Sequence, residues 1–213
     1  MAGMHGKAAK LAGAPRFLLV AIGMAAALIL AAGGIMGYAL HEGPENLSGG
    51  VLSSAVGGPF RLIDQNGKPF TDADLQGKWH LVFFGYTHCP DICPTTLNDL
   101  SLAYDKLDKQ QQKDVSVVFI SVDPDRDTPT VLKSYIENFD APIVGLTGTA
   151  AEVQQAAKDY HVYYAKHYLA GGGYDMDHSA VVYVMNPKGR FVATMTPDEA
   201  VTEIEAKLEK LVS

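Results

Sequence analysis

Cys89 and Cys93 are the two cysteines of a 213-residue chain, and they stand close together in "GYTHCPDICP" (85–94). Thiols at this spacing can close a structural disulfide, exchange electrons as a dithiol, or ligate a soft metal ion. A disulfide between them would enclose a very short loop and add little stability. A domain of this size can also build its own apolar core without a staple. That leaves redox exchange and metal binding. Two thiolates need a further donor to make a metal site, and the candidate is His178 in "YDMDHSAVVYVM" (174–185). Two sulfurs with one imidazole suit Cu(I), and Cys/His sets also occur around Cu(II) and zinc. A structural zinc site normally takes four protein ligands, so three donors fit transfer better than architecture. His178 lies far along the chain from Cys93, so their meeting depends on the fold. His88 adjoins Cys89, but neighbours on an extended chain face opposite ways, which makes it a second-rank ligand candidate.

The elements around these residues predict how they are positioned. "HLVFFGYT" (80–87) and "VSVVFISV" (115–122) are continuous apolar runs, as expected of strands buried on both faces. "FRLI" and "KPFT" flank Asn66-Gly67, a hairpin turn pair. Leu97, Leu100, Tyr104 and Leu107 have helical spacing. Pro129 suits the first position of a helix over 129–139, and Thr149 with Glu152 forms a capping-box pattern. Thr196 with Glu199 forms a second such pattern, expected to open a closing helix. Strands alternating with helices imply an α/β sandwich with a mixed sheet. The dithiol falls where the first buried strand ends, at the carboxyl edge where open α/β folds place their sites. Pro94 disfavours helical geometry at Cys93, so the helix is expected to start near Cys93 or Pro94. Unpaired N–H groups there should stabilise a thiolate and depress the thiol pKa. The arrangement matches a thioredoxin-like fold. Two features separate it from a thioredoxin redox site: the C-x-x-x-C spacing, and "MDHSA" where thioredoxin-like oxidoreductases carry a proline. "VYYAKHY" (162–168) reads as strand or loop, and Gly171 to Gly173 predict a mobile loop before His178.

The remainder of the chain places the domain. Phe17 to Leu40 contains no charged residue; as a helix it would rise about 36 Å, enough to cross a hydrocarbon core of about 30 Å. It is longer than the apolar region of a cleaved signal peptide, which favours a retained anchor. Lys7, Lys10 and Arg16 precede it with no acid, so the positive-inside rule exports the C-terminal portion of the chain. The organisation expected is a cytoplasmic leader (1–16), a transmembrane anchor (17–40), a Gly/Ser-rich linker (41–58) and a single domain (59–213), in a bacterial inner membrane with the domain in the periplasm. Of 17 basic residues three lie in the leader, leaving 14 against 24 acidic ones beyond it. That balance argues against nucleic-acid binding.

Three ordered motifs, "GYTHCPDICP", "FISVDPDRDTP" and "YDMDHSAVVYVMNPKGRF", resemble the Sco/SenC family of copper-binding oxidase assembly factors. The resemblance runs from about Pro59 to Ser213 and includes the single anchoring helix. It implies one copper, Cu(I) and/or Cu(II), held by Cys89, Cys93 and His178, with a Cys89–Cys93 disulfide when oxidised. It also implies delivery of copper to the binuclear copper site of cytochrome c oxidase subunit II, or reduction of that site's cysteines. A periplasmic copper donor and a thiol reductant would then be partners. Asp123 matches an acidic motif position expected to orient the site, and Asp177 is the expected partner of the metal-bound imidazole.

Overall fold

The computed structural model describes residues 56–213. The expected leader, the transmembrane span and residues 41–55 of the expected linker lie outside the described residues. Among the described residues no helix is long and apolar enough to cross a membrane. The folded unit already includes Gly57, whose N–H donates to the Asp159 carbonyl at 2.8 Å.

Among the described residues, nine strands and five α-helices alternate in mixed order. The Asn66-Gly67 turn joins β1 (Arg61–Asp64) to β2 (Pro69–Thr71). β3 (Trp79–Gly85) leads into α1 (Ile92–Lys106), then a short α2 (Gln111–Asp114) and β4 (Val115–Ser121). α3 (Pro129–Ile136), β5 (Ile143–Thr147) and α4 (Ala150–Asp159) continue the alternation. β6 (Tyr164–Tyr168), β7 (Tyr174–His178), β8 (Val182–Met185), β9 (Phe191–Met195) and α5 (Val201–Val212) complete it.

Seven strands form one mixed sheet in the order β2-β1-β5-β4-β3-β8-β9. β3, β4 and β5 run parallel and β8 runs antiparallel to β3. This is the thioredoxin-like architecture expected. The apolar runs become β3 and β4 because both faces of the sheet are covered. Register puts Phe83, Gly85, Phe119 and Gly145 on one face, against Cys93 of α1 and Leu132 and Ile136 of α3. Phe84 and Tyr183 face the other way and pack on Tyr160, which caps α4. α1 buries Leu97, Leu100 and Tyr104, the face its spacing predicts, and packs against α5.

One open local reading is resolved and two expectations change. "YAKHY" is strand, paired with β7 in a separate two-stranded sheet. The glycine loop is only the tip of that hairpin, closed by Gly172 N–H to the Leu169 carbonyl at 3.1 Å, while 174–178 is β7. Thr196 and Glu199 bond to each other in a turn, and α5 begins later, with Ala200 as its cap.

Candidate metal centre

The thiol turn is built on the end of β3. Gly85 is its last residue, and a Cβ there would lie 2.7 Å from both Cys93 Sγ and the Phe119 ring. Glycine is therefore what lets the buried thiol approach the strand. α1 starts at Ile92 with Asp91 as its cap, one residue before the expected start. Pro94 still falls in the first turn, where a missing N–H removes no intrahelical bond. The Cys93 N–H, free of such a bond, points at Cys89 Sγ at 3.4 Å. Cys93 is fully buried and Cys89 is 9% exposed, and both are free thiols.

His178 arrives from the end of β7. Its Nε2 lies 3.4 Å from Cys93 Sγ, and Nδ1 lies 3.3 Å from the Ser179 carbonyl. The carbonyl accepts the Nδ1 proton, which leaves the Nε2 lone pair on the side of the sulfurs. The ring is wedged edge-on against Tyr86, at 5.7 Å between centroids, and against Phe83. The two sulfurs and one imidazole nitrogen all lie within 4.8 Å of one another, close enough to share one ion. Among the described residues this is the group of such donors that converges. It opens into a shallow depression of about 320 Å³ lined by Tyr86, Cys89, Ile92, Met176 and His178. A larger cavity, about 500 Å³ beside Tyr160 and Met185, lies at the opposite edge of the sheet without a thiol or imidazole in its lining.

The two thiols differ electrostatically. The Cys93 side chain donates to Cys89, and with help from the Asp91 and Cys93 amides this outweighs burial and draws the Cys89 thiol down to about 5. Cys93 is driven strongly upward, first by that same bond to Cys89 and then by its own burial. Position at a helix start predicts a depressed pKa for both thiols; only Cys89 has one. The coupling of the two thiols thus favours the proton on the buried sulfur.

The other sequence candidates lie outside the converging group. Asp123 is fully buried but accepts from Tyr174 Oη at 2.8 Å and pairs with Arg126. Asp177 is exposed and lines the same depression as Cys89 and His178, and the Nδ1 contact expected of it goes to the Ser179 carbonyl. His88 is about half exposed and lies 3.1 Å from Thr87 Oγ1, outside the converging group. Sequence reasoning missed Asp127. This buried carboxylate accepts the Thr87 N–H at 3.0 Å, Thr87 Oγ1 at 2.6 Å and Ser121 Oγ at 2.6 Å, and so ties the thiol turn to the end of β4. The signal is present in "SVDPDRD": three carboxylates between a buried strand and a helix cap exceed what one cap requires.

Fold and site together define a class: a thioredoxin-like domain with a soft two-thiol, one-imidazole site at the carboxyl edge of its sheet. Residues 50–213 match the SCO1/SenC family, and the chain belongs to it. It is 46% identical over 154 residues to the mitochondrial SCO1 homolog 1 of Arabidopsis thaliana, an alignment covering 72% of this chain and 45% of that protein. The chain thus spans about half the length of the curated relatives it matches first. Among solved structures it resembles copper-bound ScoI of Bradyrhizobium japonicum, at 44% identity and a TM-score of 0.69, covering 74% of this chain and 99% of that one. Copper-bound ScoI of Arabidopsis thaliana is similar at 42% identity and a TM-score of 0.70, covering 74% and 98%.

Proposed function

We propose that the protein is a membrane-anchored copper metallochaperone. In this reading Cys89, Cys93 and His178 hold one copper ion per chain as cargo, and the ion passes to the binuclear copper site of cytochrome c oxidase subunit II during assembly. The observation that carries it is the convergence of two sulfurs and one imidazole nitrogen within 4.8 Å. The copper bound by the two ScoI relatives supports the choice of metal, and soft sulfur donors favour it. The delivery target rests on the family resemblance. So does the periplasmic copper donor, whereas the topology, with 17–40 as the anchor in a bacterial inner membrane and the domain in the periplasm, rests on the uncharged run and the basic leader. The test is copper stoichiometry of the reduced full-length chain with and without His178. One copper per chain is expected, and His178→Ala should weaken binding by more than the roughly 10- to 100-fold that loss of a ligand's outer partner costs. Unchanged affinity and spectra in that variant would remove the three-ligand site.

A second reading is favoured by the asymmetry of the thiols. Cys89, the more acidic thiol and the one that lines the depression, is placed to attack a disulfide in the oxidase copper site, forming a mixed disulfide and releasing one partner thiolate. Cys93 then attacks Cys89, leaving a Cys89–Cys93 disulfide and delivering two electrons to the partner. A thiol reductant must restore the dithiol. Metal-free exchange with a disulfide peptide of the partner's copper site tests this, and an inert dithiol would end it.

A further inference from the structure

His178 sits on a hairpin that shares no strand pairing with the main sheet. Side chains from the loop after β4 hold it instead. The Asp123 carboxylate accepts Tyr174 Oη–H at 2.8 Å and forms an ion pair with Arg126. Arg126 Nη1 donates to the Tyr174 carbonyl at 2.9 Å, and its guanidinium lies 4.0 Å from the centre of the Tyr174 ring. The other strand is tied as well: Lys166 of β6 pairs with Asp125 and places Nζ 4.5 Å from the same ring centre. Tyr174 is thus gripped at its hydroxyl, its carbonyl and both approaches to its ring. Tyr174, Met176 and His178 alternate along β7 with their neighbours, so they share one face of a strand that spans only about 13 Å between Tyr174 and His178. Fixing one end of so short an extended segment fixes the other.

We propose that Arg126 is a positioning residue: seated between Asp123 and Tyr174, it holds the hairpin so that His178 Nε2 meets the two sulfurs. This rests on the reading of Cys89, Cys93 and His178 as copper ligands. A guanidinium is required because the grip uses two N–H groups in a fixed fork and a planar face over the ring, which an ammonium lacks.

The test is a double-mutant cycle on the full-length chain in detergent, with affinity for Cu(II) measured by chelator competition and imidazole coordination read from nitrogen hyperfine structure in electron paramagnetic resonance. Arg126→Ala should weaken binding about tenfold and diminish the nitrogen signature, and Arg126→Lys should not restore it. In a His178→Ala background, Arg126→Ala should cost nothing further. An equal loss in both backgrounds, or no loss in either, overturns the positioning role while leaving the ligand set intact. No effect of His178→Ala alone overturns the ligand set itself. Tyr174→Phe, which keeps the ring and the carbonyl, runs the same cycle if Arg126→Ala does not fold; a loss about threefold and confined to the His178 background is expected, and additive losses overturn the proposal.

Discussion

The turn carrying Cys89 and Cys93 and the hairpin carrying His178 meet at one point but are held in different ways. The turn grows out of β3, an interior strand of a seven-stranded sheet, with Cys93 buried against Gly85 and Phe119 and the backbone pinned by Asp127. The hairpin is a two-stranded sheet of its own, tied down by side chains, with Tyr168 74% exposed near its tip. The sulfur end of the site is therefore part of the main sheet, whereas the imidazole end joins the core through Met176, the rings around His178 and a few polar contacts. Such a division suits a cargo ion, because one ligand can be adjusted without unfolding the domain.

The contrast breaks if the turn proves to be as loosely held as the hairpin. Asp127→Ala tests this most severely. It strands the Thr87 N–H and two hydroxyls inside the protein and should destabilise the whole domain by about 3–4 kcal/mol, read as a lower midpoint in denaturant melts. A change below about 1 kcal/mol would show that the turn is not anchored through this carboxylate.

Acid provides a second test, through the same strand. His80 of β3 is buried, and neither ring nitrogen has a well-formed hydrogen bond; burial lowers its pKa from 6.5 to about 4, with the Leu75 carbonyl offsetting only part. The folded state therefore resists protonation that the unfolded chain accepts. This contribution is complete above the unfolded value near 6.5 and is lost as pH falls through the folded value near 4, up to roughly 3 kcal/mol. Melts between pH 7 and 4 should show the slope, and His80→Leu should flatten it. An unchanged slope in that variant would assign the acid sensitivity elsewhere.

The smallest effect is expected at the hairpin. Gly172 sits at φ +88 with open space around its Cα, so Gly172→Ala costs only turn strain, about 1 kcal/mol. Amide exchange should quicken across 164–178 while 79–106 stays unchanged. Parallel changes in both regions would mean the hairpin unfolds with the core.

Sequence legibility divides along the same line. The thiol turn is readable because its signals are local: an apolar run, two cysteines and a proline within a short stretch. The hairpin is half readable. "VYYAKHY" carries weak periodicity, and the glycine run suggests a longer loop than the tip that forms, because pairing of Tyr164 with His178 extends β7 to the ligand itself. Sequence reasoning passes over Asp127 and expects Asp123 to orient the site, since both lie in one polar run. Nothing local distinguishes a carboxylate that braces the thiol turn from one that braces the hairpin.

By itself the sequence determined the α/β alternation, the mixed sheet, the edge at which the thiols sit and, through three motifs, the family. Each of these is set by hydrophobic period, turn chemistry or residue type within a short window. Only the tertiary structure decided that His178 reaches Cys93 and that Ser179 rather than Asp177 orients its ring. It alone decided that one thiol is acidic while its neighbour is not, and that Arg126 joins the loop to the hairpin. Those outcomes depend on burial and on contacts between residues distant in the chain, which no local pattern encodes.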